Sequence, residues 1–425
     1  MKKILLSFTA IVFAVNSYSQ WTQAGAGAGS VNDLIVYNNM LVGGGTGFVN
    51  ANLGIAQWNG SSWQSFGYGI DSGGYVNCFD TLNSTLYAAG LFSLMDSVPV
   101  NNIAIWNGTS WSDVGGGTNG VIVCMAFYGG ELYAGGQFTM AGSTPVNNIA
   151  RWNGTSWSAV GVGVTGTIIP HVHSLCVYNN ELYAGGSFTS PANYIAKWNG
   201  SSWSAVGAGV DDQVNALHVY NNELYAGGYF DHADNITVPG FSKWNGSWSF
   251  VSQCQILILT MSTFNGNLFL GGGGAPGNSF MEWNGSVMTS IPTGIPSASS
   301  AFIVHGIYAI EKYGNDIFLG GFFLQGWNEP GDCIIYAPQT IGINESENPF
   351  AAAIFPNPSN GKFTISSTGN VTFLVITDVF GKTIYTTENL AASVEINLTG
   401  ISPGIYFIRT SGGKTTQTQK IIITQ

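Results

Sequence analysis

Apolar and polar positions alternate in short runs along most of the chain, and the same four runs recur in a fixed order. Examples of the first to fourth runs are Val214–Tyr220, Glu223–Gly228, Ile195–Trp198 and Trp203–Gly207. Each run is rich in β-branched and aromatic residues and is bounded by Gly or Asn, which is typical of β-strands. The runs return about every 46 residues, a period that suits the four-stranded blade of a β-propeller.

The copies of these runs predict how the propeller closes. The second run occurs seven times, and the third occurs six times with a weaker seventh copy at Cys333–Tyr336. No fourth run follows Tyr336, but an orphan copy stands at Trp21–Gly25. We therefore expect an all-β fold, a seven-bladed β-propeller closed by the N-terminal strand. Such closure would protect edges that an open array would expose.

The residues that link the runs are those typical of tight β-hairpin turns. Asn221-Asn222 joins a first run to a second, and Asn59-Gly60 joins a third to a fourth. Tight two-residue hairpins need positive φ angles, which Asn and Gly tolerate best. The same positions in the other repeats carry the same residue types, so the links are predicted to be turns.

The N-terminus predicts export. Lys2 and Lys3 precede an apolar run, Ile4–Val15, and small residues follow it before a probable cleavage site at Gln20. This order is typical of a secretory signal peptide, predicted here over residues 1–19. The apolar run is shorter than the roughly 20 residues that a membrane-spanning helix needs. We therefore expect no transmembrane segment in the mature chain.

The remaining chain divides by composition. Residues 20–341 hold the repeats, with 17 acids and 4 bases, whereas residues 342–425 hold 5 of each. The polar stretch 342–350 is predicted to be a linker. Short strand-like runs separated by turns over 351–425 predict a small Ig-like β-sandwich.

Ordered motifs in this last region resemble a known family. They comprise Phe355, Pro356, Asn357, Pro358, Gly361, Asp378, Gly381, Lys382, Gly404, Tyr406 and Lys420. In this order they resemble the type A C-terminal sorting domain of bacterial type IX secretion. The resemblance implies recognition by the type IX outer-membrane translocon, and release or surface attachment outside a Gram-negative bacterium. The repeats resemble kelch-like and fungal cortical-marker arrays with Trp-Asn-Gly motifs, most of which lack an assigned activity.

Composition narrows the function classes. Only 8% of the residues are charged and the net charge is −11, which excludes a charged coiled coil and a basic nucleic-acid binder. Twelve of the 13 Trp stand at two repeat positions, so we interpret them as scaffold. The number of Cys is odd, and Cys78, Cys124 and Cys176 are predicted to be buried thiols instead of a disulfide framework.

Candidate binding residues lie in the variable links, since function often resides in loops on a rigid scaffold. The links from second to third strands and between blades should share one face. Residues that break the repeat there are Trp327, Asp211, Asp212, Asp231, His232, Asp234, His171 and His173. The acids and imidazoles match no complete metal-ligand set, so we predict neither metal nor cofactor, and we assign no catalytic residue.

Three functions remain open at this stage. The first is a secreted or surface binding and adhesion protein whose ligand is a glycan or a protein. The second is a hydrolase or lyase acting on polysaccharide, for which Asp211 with Asp231 or Asp234 would supply the carboxylate pair. The third is a structural surface protein with no discrete site. We favour the binding protein over the enzyme, because a fold alone does not imply catalysis.

Overall fold

The computed structural model describes most of the repeat region and of the C-terminal region. The described residues are 22–23, 30–46, 54–167, 169–254, 256–274, 279–291, 306–322, 334–337, 352–367, 372–378, 381–388, 393–412 and 415–424. The chain divides into two compact units, Met1–Thr340 and Ile341–Gln425. All regular secondary structure in the described ranges is β-strand. None of these ranges contains a helix that is long and apolar enough to cross a membrane. The predicted signal peptide and the 342–350 linker lie outside the described residues.

The first unit consists of short antiparallel strands. In chain order they are β1 (Thr22–Gln23), β2 (Val31–Tyr37), β3 (Met40–Gly45), β4 (Ile55–Trp58), β5 (Trp63–Ser65), β6 (Tyr75–Leu82), β7 (Thr85–Leu91), β8 (Leu94–Met95), β9 (Val98–Pro99), β10 (Ile103–Trp106), β11 (Trp111–Asp113), β12 (Ile122–Tyr128), β13 (Glu131–Gly136), β14 (Met140–Ala141), β15 (Thr144–Pro145), β16 (Ile149–Trp152), β17 (Trp157–Ala159), β18 (Val172–Tyr178), β19 (Glu181–Gly186), β20 (Ile195–Trp198), β21 (Trp203–Ala205), β22 (Val214–Tyr220), β23 (Glu223–Gly228), β24 (His232–Ala233), β25 (Ile236–Thr237), β26 (Phe241–Trp244), β27 (Trp248–Phe250), β28 (Ile256–Phe264), β29 (Asn267–Gly274), β30 (Phe280–Trp283), β31 (Met288–Ser290), β32 (Gly306–Tyr313), β33 (Asp316–Phe322) and β34 (Ile334–Ala337).

These strands form successive four-stranded antiparallel sheets. We number them sheet 1 (β2-β3-β4-β5), sheet 2 (β6-β7-β10-β11), sheet 3 (β12-β13-β16-β17), sheet 4 (β18-β19-β20-β21), sheet 5 (β22-β23-β26-β27), sheet 6 (β28-β29-β30-β31) and sheet 7 (β32-β33-β34-β1). A single pair, Gly273 with Gly306, joins sheets 6 and 7 into one eight-stranded sheet. The N-terminal strand β1 completes sheet 7, because Thr22 pairs with Tyr336 and Gln23 with Ile335.

The first strand of each sheet, here called the inner strand, contacts the inner strand of the next sheet. The contacts follow the order β2, β6, β12, β18, β22, β28 and β32, and β32 in turn contacts β2. Tyrosines near the ends of these strands extend the contact, since the Tyr178 hydroxyl donates to the Asn222 carbonyl in the next hairpin turn at 3.2 Å. The Tyr313 hydroxyl of sheet 7 donates to Asn39 of sheet 1 at 3.0 Å. Sheet 7 therefore contacts sheet 1 in the same way as each other sheet contacts the next one.

The hairpin turns have the backbone that their residues predicted. Asn221 and Asn222 both take positive φ angles, 49° and 59°. In the turns between third and fourth strands, the Asn59 side chain accepts hydrogen bonds from the backbone of Ser61 and Ser62 at 2.9 Å. The Asn-Gly-Ser segments are thus ordered turns.

The repeat tryptophans pack inside the sheets. In sheets 1 to 5 the Trp of the third strand lies against the Trp that begins the fourth, with ring centroids 5.4 Å apart for Trp152 and Trp157. The Nε1 of Trp157 also donates to the Val114 carbonyl of the preceding sheet at 2.7 Å. These contacts agree with the scaffold role that we expected. Cys78 and Cys124 are likewise buried free thiols, whereas Cys176 is half-buried and free.

The second unit contains two antiparallel sheets. Its strands are β35 (Ala352–Phe355), β36 (Lys362–Ser367), β37 (Phe373–Asp378), β38 (Thr383–Glu388), β39 (Ser393–Asn397), β40 (Gly404–Gly412) and β41 (Thr415–Ile423). They pair in the orders β35-β36-β39 and β38-β37-β40-β41. One hydrophobic core joins the two sheets, with Phe363 and Ile396 from the first and Ile376 and Ile421 from the second.

Candidate binding site

The inner strands surround a cavity of about 840 Å³. Each inner strand contains a β-bulge near its start, where one residue is skipped in the pairing with the second strand. The skipped residues are Asn32, Asn77, Val123, His173, Asn215, Leu259 and Tyr308, and every one of them lines the cavity. Bulges often re-aim a side chain next to a functional site. The repeated bulge therefore supplies one cavity-facing position per sheet.

The bulged positions vary from sheet to sheet, as do other inner-strand positions such as those of Asp80 and His218. The residue just before the bulge is always Val or Ile, as in Val172 and Val214, and both of these are fully buried. The bulged residue itself ranges from Asn to Val, His, Leu and Tyr. A repeated backbone thus presents five kinds of side chain to the cavity, with Asn at three of the seven positions, which suits a ligand pocket.

Asparagines at the bulges also connect neighbouring sheets. The Asn32 side chain donates to the Val76 carbonyl at 3.0 Å, and Asn77 donates to Ile122 at 2.9 Å. Each bond therefore reaches the inner strand of the next sheet. These asparagines hold the cavity wall together while their amide groups remain at its surface.

Acidic side chains occupy one side of the wall. Asp33 accepts hydrogen bonds from Leu34 N at 2.8 Å and from Phe79 N of the next sheet at 2.7 Å. Burial raises the pKa of Asp33 to about 7, and the nearby Glu311 and Asp80 carboxylates raise it further against the effect of those hydrogen bonds. Burial also raises the pKa of Asp80 to about 6 and that of Glu311 to about 7.

Histidines occupy the far side of the ring of inner strands. Burial lowers the pKa of His173 to about 4, with a further contribution from His171. Burial alone lowers the pKa of His218 to about 4, and its Nε2 lies 2.7 Å from the Thr263 hydroxyl. Both imidazoles are therefore neutral at neutral pH. The Nε2 atom of His173 is buried and has no hydrogen-bond partner among the described residues.

These shifts predict how stability depends on pH. Protonated Asp33 and Glu311 stabilise the folded state below pH 7, because the unfolded chain gives up the same protons near pH 4. That stabilisation is lost as the pH rises through about 7. The neutral histidines have the opposite effect on stability: they lower it as the pH falls below about 6.5, the pKa of histidine in the unfolded chain. We therefore expect the free energy of unfolding to fall by about 1–2 kcal/mol between pH 6.5 and 8, as measured by urea denaturation.

Asp33→Asn provides the control for this pH dependence. The amide keeps the shape of the side chain and can still accept a backbone hydrogen bond, but it cannot ionise. The loss of stability between pH 6.5 and 8 should shrink to about half in this variant. An unchanged pH dependence would show that Asp33 is not the titrating group.

The acids predicted from the loop sequence lie outside this cavity lining. The Asp211 carboxylate accepts backbone hydrogen bonds from Asp231 and His232, both at 2.9 Å, and contacts His232 Nδ1 at 2.8 Å. Although partial burial acts to raise it, the hydrogen bonds from His232 and Asp231 hold the pKa of Asp211 below its usual range. Asp234 accepts a hydrogen bond from Ala208 N at 2.5 Å. Asp212 is exposed and accepts one from Gln213 N at 2.7 Å.

The same contacts recur in other sheets. In sheet 2, Asp71 accepts hydrogen bonds from Ser93 N and Leu94 N at 2.8 and 3.0 Å, as Asp211 does in sheet 5. Asp96 accepts one from Gly69 N at 2.9 Å and takes a φ of 51°, close to the 52° of Asp234. The short hairpin β24–β25 that holds His232 also has counterparts in β8–β9 and β14–β15. Each of these acids bonds the link between two sheets to the second-to-third-strand link of the later sheet.

The remaining predicted residues are His171, His173 and Trp327. The rings of His171 and His173 stack with centroids 5.5 Å apart, and His173 lines the cavity. His171 Nδ1 lies 3.0 Å from the Ile169 carbonyl. Trp327 lies outside the described residues. Sequence reasoning missed Asp33, Asp80 and all the bulged positions except His173, because several positions of the first runs vary and none stands out among its neighbours.

In the second unit the sorting-motif residues fix strand ends and turns. The Asn357 side chain donates to Lys420 O at 2.9 Å and accepts from Ile422 N at 3.0 Å, which pairs it with β41. Asp378 accepts from Lys382 N at 2.9 Å across the turn at Gly381. Gly361, with a φ of 95°, accepts from Leu398 N, and the Tyr406 hydroxyl donates to Ser402 O at 2.7 Å. Phe355, Pro356 and Pro358 are exposed, and Gly404 begins β40 opposite Ile423.

Residues 353–424 match the secretion system C-terminal sorting domain. This domain confirms the expected resemblance and marks the chain for export, either to the cell surface or into the medium of a Gram-negative bacterium. It also implies contact with the type IX secretion machinery. No curated protein matches the chain significantly in sequence.

Several solved structures are similar to the chain at low identity. PorZ, a surface component of the type IX secretion system of Porphyromonas gingivalis, is 14% identical with a TM-score of 0.40; the match covers 91% of this chain and 64% of PorZ. The extracellular domain of the putative one-component system BT4673 from B. thetaiotaomicron is 15% identical with a TM-score of 0.49, covering 92% and 52%. The Pan2 WD40 domain of Neurospora crassa is 11% identical with a TM-score of 0.48, covering 76% and 98%.

Proposed function

We propose that the protein is an exported seven-bladed β-propeller that binds a small polar ligand, of glycan type, in its central channel. In this proposal sheets 1–7 are the blades, residues 20–341 form the propeller, and 351–425 form an Ig-like sandwich that the outer-membrane translocon recognises. The observation that carries the binding role is the bulge in every inner strand, which aims a variable side chain into one cavity.

The cavity chemistry supports a hydroxyl-rich ligand. Its lining includes Asn215, Asp80 and His173, which offer both donors and acceptors, together with the aromatic rings of Phe79 and Tyr308. A sugar presents hydroxyls around its rim and C–H groups on its faces, so it suits such a mixed wall. The volume of about 840 Å³ lies within the range of small-molecule sites.

We do not extend the proposal to catalysis. The acids Asp211 and Asp234 accept hydrogen bonds from the backbone of neighbouring links, as Asp71 and Asp96 do in another sheet. A repeated link contact gives no reason to expect a reaction at one of its copies. The loop residues and Trp327 nevertheless remain the competing location for a binding site.

The test compares two histidines in the full mature chain. Glycan-array binding and titration calorimetry should detect a ligand for the wild-type protein, and His173→Ala should lower its affinity about tenfold or more. His232→Ala, in the link hairpin, should bind normally. The channel proposal fails if His232→Ala or Trp327→Ala loses binding while His173→Ala retains it, or if no ligand binds at all.

A further inference from the structure

The residues that line the channel include acids but no Lys or Arg. Asp33 and Asp80 contribute carboxylates from adjacent sheets. Glu311, in sheet 7, lies close enough to Asp33 to disfavour its ionisation. A cationic group in this part of the channel would relieve the repulsion between the acids, whereas an anionic group would add to it.

The four bases of residues 20–341 are all engaged elsewhere. Three of them pair with glutamates within their own sheets: Arg151 with Glu131 at 3.2 Å, Lys197 with Glu181 at 2.8 Å, and Lys243 with Glu223 at 2.7 Å. Lys312 is the only described inner-strand base, and its Nζ donates to Asn265 Oδ1 at 2.7 Å in a hairpin turn. The propeller therefore supplies no cation of its own to the acidic wall.

The channel carboxylates retain hydrogen-bonding capacity. A carboxylate has about four acceptor positions. Asp33 uses two on the backbone of Leu34 and Phe79, and Asp80 uses one on Thr81 N at 2.7 Å among the described residues. An ammonium group has three donors and no acceptor, so it matches these vacant positions.

The opposite wall requires a different group. His173 is held neutral by burial, and its buried Nε2 has no partner among the described residues. A neutral imidazole exchanges hydrogen bonds with hydroxyls but offers no charge to an anion. The ligand that satisfies both walls has a positive charge at one end and hydroxyls at the other.

We propose that the channel ligand carries a cationic amine on a polyhydroxylated body, as an amino sugar does, with the amine between Asp33 and Asp80 and hydroxyls toward His173. This inference rests on the proposed function, because it names the chemical class of the ligand for the same channel. Three matched probes separate the two ideas: glucosamine, N-acetylglucosamine and glucuronate have the same ring with a cationic, a neutral and an anionic substituent.

Titration calorimetry of the full mature chain at pH 7 in 0.15 M NaCl tests the inference. Glucosamine should bind at least about tenfold more tightly than N-acetylglucosamine, and glucuronate should show no binding, since a hydrogen-bonded charge pair typically changes affinity by this factor or more. Asp80→Asn should remove the preference for glucosamine without weakening N-acetylglucosamine. Asp113→Asn, which makes the same charge change at an exposed residue of β11, should bind as the wild type does.

The outcomes distinguish the two proposals. Equal affinity for glucosamine and N-acetylglucosamine, unchanged in Asp80→Asn, would overturn the amine inference and leave the channel as a sugar site. Binding of calcium chloride alone, lost in Asp80→Asn, would replace the amine by an inorganic cation. Absence of binding by all three sugars would overturn the amine inference, whereas the channel proposal would fail only if the glycan array also gave no ligand. Thermal unfolding of each variant verifies that it folds, and Asp33→Asn provides a second test of the same wall.

Discussion

Replacement of Gly185 by valine should lower the free energy of unfolding of the repeat unit by about 3 kcal/mol. A Cβ at this position would lie 2.6 Å from Val214 Cγ1 in the inner strand of the next sheet. Val214 is fully buried and β-branched, so it has little freedom to move aside. Urea denaturation followed by tryptophan fluorescence measures the loss.

Gly166→Ala provides the matched control for Gly185→Val. Its added Cβ would meet its nearest neighbours at 3.4–3.5 Å, an ordinary contact, and its φ is not in the left-handed region. We expect its stability to stay within about 0.5 kcal/mol of the wild type. If Gly185→Val were equally harmless, close packing between sheets 4 and 5 could not be what requires glycine there.

The same contact explains much of the glycine in the repeats. Glycines equivalent to Gly185 in sheets 1, 3, 5, 6 and 7 would also place a Cβ within 2.6 Å of the next inner strand, and Gly320 meets Val31 across the junction of sheets 7 and 1. Sheet 2 differs, because it carries the buried Ala89. A single methyl is therefore accommodated at one junction, which is why valine is the more decisive substitution.

The sequence predicted the strands because each run has its own periodicity and boundary residues. It also predicted that the orphan segment near Trp21 pairs with the last third strand, and β1 pairs with β34 as expected. The β-bulge was not predicted, because a single extra residue in a seven-residue run does not obscure its alternation of apolar and polar positions. Of the seven bulged residues only His173 was a predicted candidate, and it was chosen for its imidazole and not for its place in the strand.

The loop residues that we named as binding candidates show a second limit of prediction from sequence. Asp234 was singled out because Asp231 and His232 lie beside it, and its equivalence to Asp96 and Gly142 in other sheets was not recognised. The backbone reveals the equivalence, since Asp234, Asp96 and Gly142 have φ angles of 52°, 51° and 53°. An acidic side chain at such a turn can accept backbone hydrogen bonds without any ligand.

The second large effect is expected for Trp157, the first residue of β17. Trp157→Ala should cost about 3–5 kcal/mol, because it removes a buried indole that packs against Trp152. Trp157→Phe keeps most of the burial but leaves the Val114 carbonyl without the indole donor, which should cost about 1–3 kcal/mol. Urea denaturation of both variants gives the two values.

Trp111 is the matched control, because it occupies the same position in sheet 2 but its buried Nε1 has no hydrogen-bond partner among the described residues. Trp111→Phe removes an unpaired donor, so it should cost less than Trp157→Phe. Equal losses would mean that ring volume, and not the bond to the preceding sheet, sets the value of these tryptophans. Neither residue lines the cavity, so both Phe variants should keep the ligand preference of the wild type. A changed ligand preference would indicate that these tryptophans contribute to the binding site.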